Sequence, residues 1–502
     1  MYRVSGDMLR LRSALRTFAV AALVLPVFAG TATAATSPVH DRAAAMLAQE
    51  RAAMPQDEVV DCLAPAGDPE PNTPEWVQRD TINQYCATLR LRDQLASPAY
   101  GWANLTSGTQ LWLERTVDQS ADPTHPRGGF TTLIPGSQAA DAFRTLKRWT
   151  EAGRGRVEPV SFRSLNGSTL RGHVFAPPAR VPRPRDGYPG VVITDGSVQA
   201  YEELYYWAAQ DLAEAGYVVM TYDVQGQGDS DLAGEDCPGE CSGVPYQQDY
   251  NFYQGAEDSL SAFLGERNPY LDLLDRRSVG IAGHSLGAAA VSHVGQCDRR
   301  VKAIVAWDNL DAIQDCSGIA IPKHHRAKRL LQTPALGIAN DYLFNTQPRM
   351  SPPDPQAKAD GFQQLAAEGT DTQSVVLRGA THLEYTYIPL VLPASQRGER
   401  FASYYTRAWF DRYLKGDPRA YDRLTARTFD ASVDRSAIGT GEYDHAAALA
   451  SPGDRYAGNV PHTIAGIGVA NAVSFYYASQ YALRDPSGAR RTCGDVRAGC
   501  AR

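Results

Sequence analysis

The segment Arg277-Ser-Val-Gly-Ile-Ala-Gly-His-Ser-Leu-Gly-Ala-Ala-Ala-Val291 decides the fold class of this 502-residue chain. Its first part, Arg277–Ala282, has the apolar run of a buried β-strand, and its last part opens a helix of small residues. Between them, Gly283–Gly287 has the pattern G-x-S-x-G. A serine on such a strand-to-helix turn has a strained backbone and presents its hydroxyl at the carboxyl end of the sheet. We therefore predict that Ser285 is a catalytic nucleophile.

Strands and helices alternate on both sides of this segment. Runs that predict strands cover 157–162, 169–175, 190–194, 217–222, 277–282, 301–307, 334–338 and 374–377. Helical spacing is found at 201–215, 256–264, 288–296, 363–368 and 399–414. Asn166-Gly167, between the first two strands, is typical of a hairpin turn because both residues tolerate positive φ. The alternation predicts an α/β fold with a mostly parallel central sheet and helices on both faces.

The chain divides into four regions by composition and pattern. Residues 1–34 have the features of a signal peptide, and residues 35–150 form an N-terminal extension without a recognisable motif. The strand–helix alternation defines a catalytic domain at 151–430. Residues 431–502 lack this alternation, and we expect them to pack on the catalytic domain as a C-terminal segment.

The N-terminal region predicts export. Four arginines precede the apolar run Phe18–Phe28, and Ala32-Thr-Ala34 has the small-x-small pattern that a signal peptidase requires. The apolar run is only 11 residues long and contains Pro26, so it is too short to cross a bilayer comfortably. We expect cleavage after Ala34, a secreted extracellular protein and no stable membrane insertion.

Composition excludes several classes of protein. With 43% hydrophobic and 21% charged residues, the chain has an ordinary globular balance, which excludes collagen, a coiled coil and wholesale disorder. The net charge is −7, from 49 basic and 56 acidic residues. Because no basic field exists to hold a phosphate backbone, we predict no nucleic-acid partner.

Eight cysteines lie beyond the predicted signal peptide and fall into neighbouring pairs along the chain. These pairs are Cys62 with Cys86, Cys237 with Cys241, Cys297 with Cys316, and Cys493 with Cys500. None has the C-x-x-C spacing of a zinc or redox site, and no histidines cluster with them. Eight cysteines allow 105 pairings, of which sequence-local disulfides in an oxidising compartment are the most economical.

The chain resembles the α/β-hydrolase family over about residues 150–415. The resemblance rests on the G-x-S-x-G turn at Gly283–Gly287, its strand and helix, and the chain order nucleophile, acid, histidine. Within the family, it suggests secreted bacterial serine esterases and lipases, with a dienelactone-hydrolase-like or cutinase-like branch included. It implies a Ser-His-Asp triad with its acid after a late strand and its histidine after the final strand.

The resemblance assigns the general base to His382. This residue follows the last predicted strand, in Arg378-Gly-Ala-Thr-His382, and a serine hydroxyl needs a base within hydrogen-bond reach. His284 lies inside the nucleophile turn, where we expect it to pack locally. His324 and His325 stand in a basic stretch, where we expect them to be solvated.

Two aspartates compete for the role of triad acid. Asp341 follows the predicted strand 334–338, and we favour it as the group that orients His382. The common family pattern has its acid about two residues further along, where this chain has Leu343. Asp308, at the end of the preceding strand, is the alternative, since some members take their acid from there.

Two main-chain N–H groups are the expected oxyanion donors. Leu286 directly follows the nucleophile. Ser197 stands by position in the loop after the first buried parallel strand, where many relatives have His-Gly and this chain has Asp195-Gly196. The glycine-rich turn at 226–230 does not complete G-x-G-x-x-G, so we predict no nucleotide cofactor. No metal is expected either, because the triad supplies all proton transfers.

The leading hypothesis is a secreted serine hydrolase that cleaves a carboxylic ester of a small molecule, lipid or polymer through an acyl-enzyme. An insertion at 231–253, with the aromatic residues at 201–207, would form its acyl pocket, unless these aromatics only pack helix against sheet. Two alternatives stay open. One is a secreted serine peptidase on the same scaffold, and the other is a non-catalytic extracellular binding protein that kept the fold.

Overall fold

The computed structural model describes residues 146–197, 201–231, 249–308, 310–342, 358–386 and 396–426, with shorter pieces at 441–443, 459–461, 473–474, 477–496 and 500. By its internal contacts the chain divides into the units Met1–Pro55 and Gln56–Arg502, and every described residue belongs to the second. The predicted signal peptide and most of the extension at 35–150 therefore lie outside the described residues.

Twelve strands are found in the described part of the chain. They are β1 (Arg156–Arg163), β2 (Thr169–Ala176), β3 (Tyr188–Thr194), β4 (Val218–Tyr222), β5 (Leu274–His284), β6 (Val301–Trp307), β7 (Ala335–Tyr342), β8 (Thr372–Thr381), β9 (Gly441–Tyr443), β10 (Asn459–Pro461), β11 (Gln480–Arg484) and β12 (Arg490–Cys493). Ten of them form one sheet in the order β1-β2-β4-β3-β5-β6-β7-β8-β11-β12, and β9 pairs with β10 separately. The block from β4 to β8 is parallel, whereas β1, β2, β11 and β12 pair antiparallel.

Seven α-helices accompany these strands in the same residues. They are α1 (Leu146–Glu151), α2 (Tyr206–Glu214), α3 (Asp249–Phe263), α4 (Leu286–Cys297), α5 (Asp360–Ala367), α6 (Gln396–Tyr413) and α7 (Arg419–Thr425). Side chains of α2 and α6 belong to one apolar cluster, and side chains of α3, α4 and α5 belong to a second. No helix in the described ranges is both long and apolar enough to cross a membrane.

Strand β3 lies between two layers of helices, one on each face of the sheet. All seven of its residues are buried. Val191 and Ile193 contribute to the cluster with α2 and α6, whereas Val192 contributes to the cluster with α3 and α4. Because successive side chains of a strand point to opposite faces, a continuous apolar run is what a strand between two helical layers requires. The predicted α/β architecture with helices on both faces is consistent with this arrangement.

The predicted β1–β2 hairpin forms in full register, from Arg156 opposite Ala176 to Arg163 opposite Thr169. Gly167 takes a φ of +85° in its turn. Asn166 does not take a positive φ and acts instead through its side chain, whose oxygen accepts a hydrogen bond from the Ser168 N–H at 3.2 Å.

Described elements on either side of the predicted domain at 151–430 contact it. Helix α1 crosses the predicted boundary at residue 150, and its Trp149 packs edge-on against Phe175 and donates a hydrogen bond to Glu214. At the other end, β11 pairs antiparallel with β8, from Gln480 opposite Ser374 to Ala482 opposite Thr372. The last described residues of the chain thus extend the central sheet.

Parallel register brings the carboxyl ends of the central strands to one edge of the sheet. Thr194 of β3 stands beside Gly283 of β5, and His284 of β5 stands beside Trp307 of β6. Next along the sheet, Tyr342 of β7 stands beside Thr381 of β8. The residues that directly follow these strands therefore meet at this edge.

Candidate active site

Ser285 stands alone between β5 and α4, so the chain reverses direction at this one residue. Its φ of +57° and ψ of −121° are strained for a residue with a side chain. The turn is held because Ser285 N–H donates to the Trp307 carbonyl oxygen at 3.2 Å, while the Ser285 carbonyl accepts from Ala288 and Ala289. The predicted strand–turn–helix context of the G-x-S-x-G pattern is present.

Both motif glycines are required by close approach of the neighbouring backbone. A Cβ on Gly283 would lie 2.3 Å from the Gly287 carbonyl oxygen, and a Cβ on Gly287 would lie 2.2 Å from the Asp195 carbonyl oxygen. Both distances are far below van der Waals contact. The missing side chains therefore let the start of α4 pass directly over the loop that follows β3.

The structure brings Ser285 together with His382, the predicted base. Ser285 Oγ and His382 Nε2 are 3.0 Å apart, which is hydrogen-bond distance. His382 is the first residue after β8 and opens the 3₁₀ turn His382–Tyr385. Its ring is largely buried, with 13% of the side chain exposed.

The carboxylate of Asp308, the alternative to Asp341 in the sequence analysis, contacts His382. Asp308 Oδ2 hydrogen-bonds to His382 Nδ1. With Ser285 on Nε2, both ring nitrogens are then occupied. Asp308 directly follows β6, the neighbour of β5, whereas Asp341 lies inside β7, one strand further away. The Asp341 side chain lies outside what the structure describes.

Asp308 is strained and buried, as Ser285 is strained. Its φ is +61°, and among the described residues the only other non-glycine residues with positive φ are Ser285 and Gln332. Burial alone would raise the pKa of Asp308, but the positive charges of Lys358 and His382 outweigh burial and hold this pKa well below its usual range. The carboxyl group is therefore a carboxylate wherever His382 acts as a base.

His284 does more than pack locally, which the sequence analysis missed. Its ring is buried, and Nε2 lies 2.8 Å from the His382 main-chain carbonyl oxygen. Nδ1 lies 2.9 Å from the Tyr205 hydroxyl, which accepts a hydrogen bond from Gly196 N–H at 2.9 Å. A carbonyl only accepts and an N–H only donates, so His284 carries its proton on Nε2 and Tyr205 donates to Nδ1.

This arrangement requires a neutral His284. Burial, together with repulsion by His382, lowers the pKa of His284 to about 3. His284 thus keeps one fixed tautomer over the range in which serine hydrolases work. It connects the nucleophile turn, the base and the loop at Gly196 by hydrogen bonds whose directions are all determined.

Tyr205 is in turn held by a buried polar cluster around Glu202, in the same 3₁₀ turn, Glu202–Tyr205. Glu202 Oε1 is 2.5 Å from His173 Nδ1, and Glu202 Oε2 accepts from the Thr221 hydroxyl at 2.6 Å. Burial alone would lower the pKa of His173, but the Glu202 carboxylate outweighs it and raises the pKa to about 9. The resulting charge pair fixes the turn onto β2 and β4.

The predicted oxyanion donors lie on the two segments that meet at Ser285. Leu286 is the first residue of α4, and N–H groups in the first turn of a helix have no partner inside the helix. Ser197 follows Gly196, where an added Cβ would lie 3.2 Å from Ser285 Cβ. The loop of Ser197 therefore lies directly against Ser285. Below it, Oδ2 of the buried Asp195 carboxyl group accepts a hydrogen bond from Gln227 Nε2 at 3.2 Å.

The aromatic residues before and within α2 pack helix against sheet. Tyr201, Tyr205, Tyr206 and Trp207 are all buried in one apolar cluster. The Tyr205 ring stacks on Trp307, and Trp207 Nε1 donates to the Tyr385 carbonyl oxygen at 2.9 Å. These contacts favour the hypothesis that the aromatic residues pack helix against sheet over the hypothesis that they form an acyl pocket. Residues 232–248 of the predicted insertion lie outside the described residues.

Two of the four predicted disulfides are confirmed. Cys297 is bonded to Cys316 and Cys493 to Cys500, with Cα atoms 5.4 and 5.0 Å apart. The first disulfide joins the end of α4 to the segment after β6. The second joins the last residue of β12 to Cys500. Cys62, Cys86, Cys237 and Cys241 lie outside the described residues.

The chain is similar to three fungal proteins that are named as hydrolases. The chain is 29% identical over 152 residues to a protein named thiohydrolase from Arthrinium phaeospermum, 28% identical over 255 residues to a hydrolase of a Fusarium species, and 30% identical over 136 residues to an α/β hydrolase of an Acremonium species. These matches cover 30%, 50% and 27% of this chain, respectively. No protein-family model matches the chain.

The chain spans only part of these curated relatives, with 43%, 56% and 25% of their lengths matched. Their names support a hydrolase of the α/β-hydrolase family. None of the three names is that of a cutinase or a dienelactone hydrolase, and none of the three organisms is a bacterium.

Proposed function

We propose that this protein is a secreted serine hydrolase that cleaves carboxylic esters, with Ser285 as nucleophile, His382 as base and Asp308 as acid. The observation that carries the proposal is the 3.0 Å contact between Ser285 Oγ and His382 Nε2, with Asp308 on the opposite ring nitrogen. Serine, imidazole and carboxylate in this order form the proton-transfer chain that turns a weak hydroxyl nucleophile into an effective one.

The reaction follows from these positions. Ser285 Oγ attacks the ester carbonyl carbon while His382 Nε2 takes the hydroxyl proton, and Asp308 stabilises the imidazolium that forms. The main-chain N–H groups of Leu286 and Ser197 are the proposed donors to the developing oxyanion. The tetrahedral intermediate collapses when His382 returns the proton to the departing alcohol oxygen, which leaves the acyl group on Ser285.

Deacylation uses the same groups with water in place of the alcohol. His382 takes a proton from water, the hydroxide attacks the acyl carbon, and the proton returns to Ser285 Oγ as the carboxylic acid leaves. The net reaction consumes one ester and one water and yields one acid and one alcohol. The proton balance closes within the triad.

Acyl thioesters are a second candidate substrate class. One relative is named a thiohydrolase, and the same attack on a thioester carbonyl would release a thiol in place of an alcohol. The leaving group differs, but the acyl-enzyme on Ser285 is identical. A series of oxygen esters with matched thioesters of the same acyl group would therefore rank the two classes directly.

A fluorophosphonate probe followed by peptide mapping tests the catalytic role. We expect the wild type to be labelled on Ser285 and to hydrolyse a chromogenic ester, and Ser285→Ala to do neither. The Ser285→Ala variant should melt at nearly the wild-type temperature, because a single hydroxyl contributes little packing. Residual ester turnover above about a thousandth of wild type would contradict the nucleophile assignment, given typical losses in serine triads.

The same panel separates the remaining hypotheses. Faster cleavage of peptide amides than of esters would identify a peptidase. A chain that is folded but neither labelled nor active on any substrate class would be a non-catalytic binding protein that kept the fold. A Ser292→Ala variant, which removes a buried hydroxyl in the middle of α4, is the matched control and should remain active.

Secretion is proposed from the sequence features of residues 1–34 and is supported by the two disulfides in the described residues. Disulfides persist in oxidising compartments and are rare in the cytosol. Expression in a secreting host followed by N-terminal sequencing tests this. We expect protein in the medium that begins at Ala35, and an intact Met1 terminus in a cell-associated protein would contradict it.

A further inference from the structure

The triad acid has a second cationic neighbour that the sequence analysis did not foresee. Lys358 Nζ lies 3.2 Å from Asp308 Oδ1, the oxygen that does not face His382. The contact is sheltered, since 17% of the Lys358 side chain and 5% of the Asp308 side chain are exposed. The Asp308 carboxylate is therefore placed between an ammonium group and the imidazole.

The position of Lys358 is fixed by the helix that follows it. Lys358 stands two residues before α5, which packs on the segment after Asp308. A Cβ on Gly361 would lie 2.1 Å from the Leu310 carbonyl oxygen, so helix and segment are in direct backbone contact. Gln364 also exchanges two hydrogen bonds with the main chain of Ile313, at 2.5 and 2.7 Å. These contacts hold Lys358 within reach of Asp308.

We propose that Lys358 is a positioning residue of the triad: it fixes the Asp308 carboxylate and, by its charge, opposes protonation of His382, so that the enzyme keeps its free base at lower pH. The proposal rests on the proposed function, because it assumes that His382 is the base. Removing the positive charge would leave the carboxylate free to stabilise imidazolium without opposition.

The other groups around this pair act differently. His284 at the end of β5 is neutral, because its pKa is about 3. Tyr385, in the same turn as His382, is buried, and burial raises its pKa well above the usual value, so it is uncharged as well. The negative charges of Asp308 and Glu384, the latter in that turn, raise the pKa of Tyr385 further. Lys358 is the cation whose ammonium group contacts the Asp308 carboxylate in the described residues.

The pH dependence of kcat/KM for a neutral ester, measured from pH 5 to 9, tests this role. In Lys358→Met the acidic limb of the profile should move to higher pH by about one unit, the scale expected for losing one nearby, partly screened charge. Lys358→Arg retains the charge and should restore the limb to within about 0.3 unit. Lys147→Met is the surface control, since 82% of that side chain is exposed, and its profile should match wild type.

A limb that stays at the wild-type pH in Lys358→Met, with activity lowered equally at every pH, would overturn the proposal and leave Lys358 a packing residue. Lys358→Gln gives the same test if the methionine variant does not fold, because it keeps a hydrogen-bond donor without the charge. Failure of the triad itself is distinguishable, since Ser285→Ala would then still hydrolyse the ester while the Lys358 variants showed no shift.

Discussion

The ring of His284 is hydrogen-bonded to the main chain of His382, so the residue before Ser285 holds the proposed base. The other ring nitrogen of His284 accepts from the Tyr205 hydroxyl, which is bonded to Gly196 N–H. One neutral imidazole therefore sets the spacing between the nucleophile turn, the base and the loop that carries Ser197. Geometry at this scale matters, because a misplacement of about 1 Å in an active site costs on the order of a hundredfold in rate.

Replacing His284 by Phe should lower kcat by about tenfold to a hundredfold, because the ring volume is kept while both hydrogen bonds are lost. KM should change little, since the His284 side chain is buried. Steady-state kinetics on a chromogenic ester measures both constants. Phenylalanine at the exposed His324 serves as the control and should leave kcat unchanged. Wild-type kcat in His284→Phe would mean that the network has no positioning role.

Neutralising the triad acid should separate the two aspartates. Asp308→Asn should lower kcat by about 10⁴-fold, the loss seen when the orienting carboxylate of a triad becomes an amide. Asp341→Asn should retain most of the activity, because Asp308 already occupies His382 Nδ1. Both variants should still be assayed at saturating ester, where kcat is measured directly. If Asp341→Asn lowered kcat more than Asp308→Asn did, the triad acid would be Asp341 on β7.

The charge pair of His173 and Glu202 should make stability depend on pH. The folded-state pKa of His173 is raised to about 9, so the pair stabilises the fold fully below about pH 6.5 and loses this contribution as pH rises through 9. Relative to His173→Gln, the free energy of unfolding of the wild type should fall by about 2 kcal/mol between pH 6.5 and 9. Urea unfolding at several pH values measures this difference.

The free energies of unfolding of the wild type and His173→Gln could instead differ by the same amount at every pH from 6.5 to 9. That result would show that folding does not shift the pKa of His173. The exposed His324 again supplies a control, since His324→Gln lies outside the buried cluster. Its curve should run parallel to that of the wild type.

The two confirmed disulfides should differ in their effect on stability. Cys297–Cys316 closes a longer loop than Cys493–Cys500, with sequence separations of 19 and 7. In the chain-entropy description, removing the first should cost about 3 kcal/mol and removing the second about 2 kcal/mol. Thermal unfolding of the two paired Cys→Ser variants gives the comparison. A larger loss for the second pair would mean that its contribution lies in holding β12 and not in loop closure.

The contact between Ser285 and His382 could be predicted because each residue is marked by local order along the chain. The proposed nucleophile is marked by a strand, a five-residue pattern and a helix, and the proposed base is the histidine directly after the last parallel strand, β8. The two confirmed disulfides join cysteines that are neighbours in sequence. Each of these features depends on residues fewer than about 20 positions apart.

The proposed acid could not be chosen from the sequence, because Asp308 and Asp341 stand at or near the ends of adjacent parallel strands, β6 and β7. Both strands run to the same edge of the sheet, so topology alone permits either. Asp308 differs from Asp341 because its strand, β6, lies next to β5 and because its backbone is left-handed. No residue pattern in the sequence indicates either property. Lys358 was missed for a related reason, since its contact with Asp308 spans 50 positions.

The pairing of β11 with β8 has a consequence for any shortened form of this chain. Without β11 and β12, the long strand β8 would become a bare sheet border whose N–H and C=O groups face solvent. Such a border is a template for strand addition by another molecule, so truncation after α7 should produce self-association before it produces any loss of the triad. Light scattering on a chain ending near residue 426 would reveal this aggregation. Because β11 and β12 cover this border, we expect them to keep the protein soluble as well as to complete the sheet.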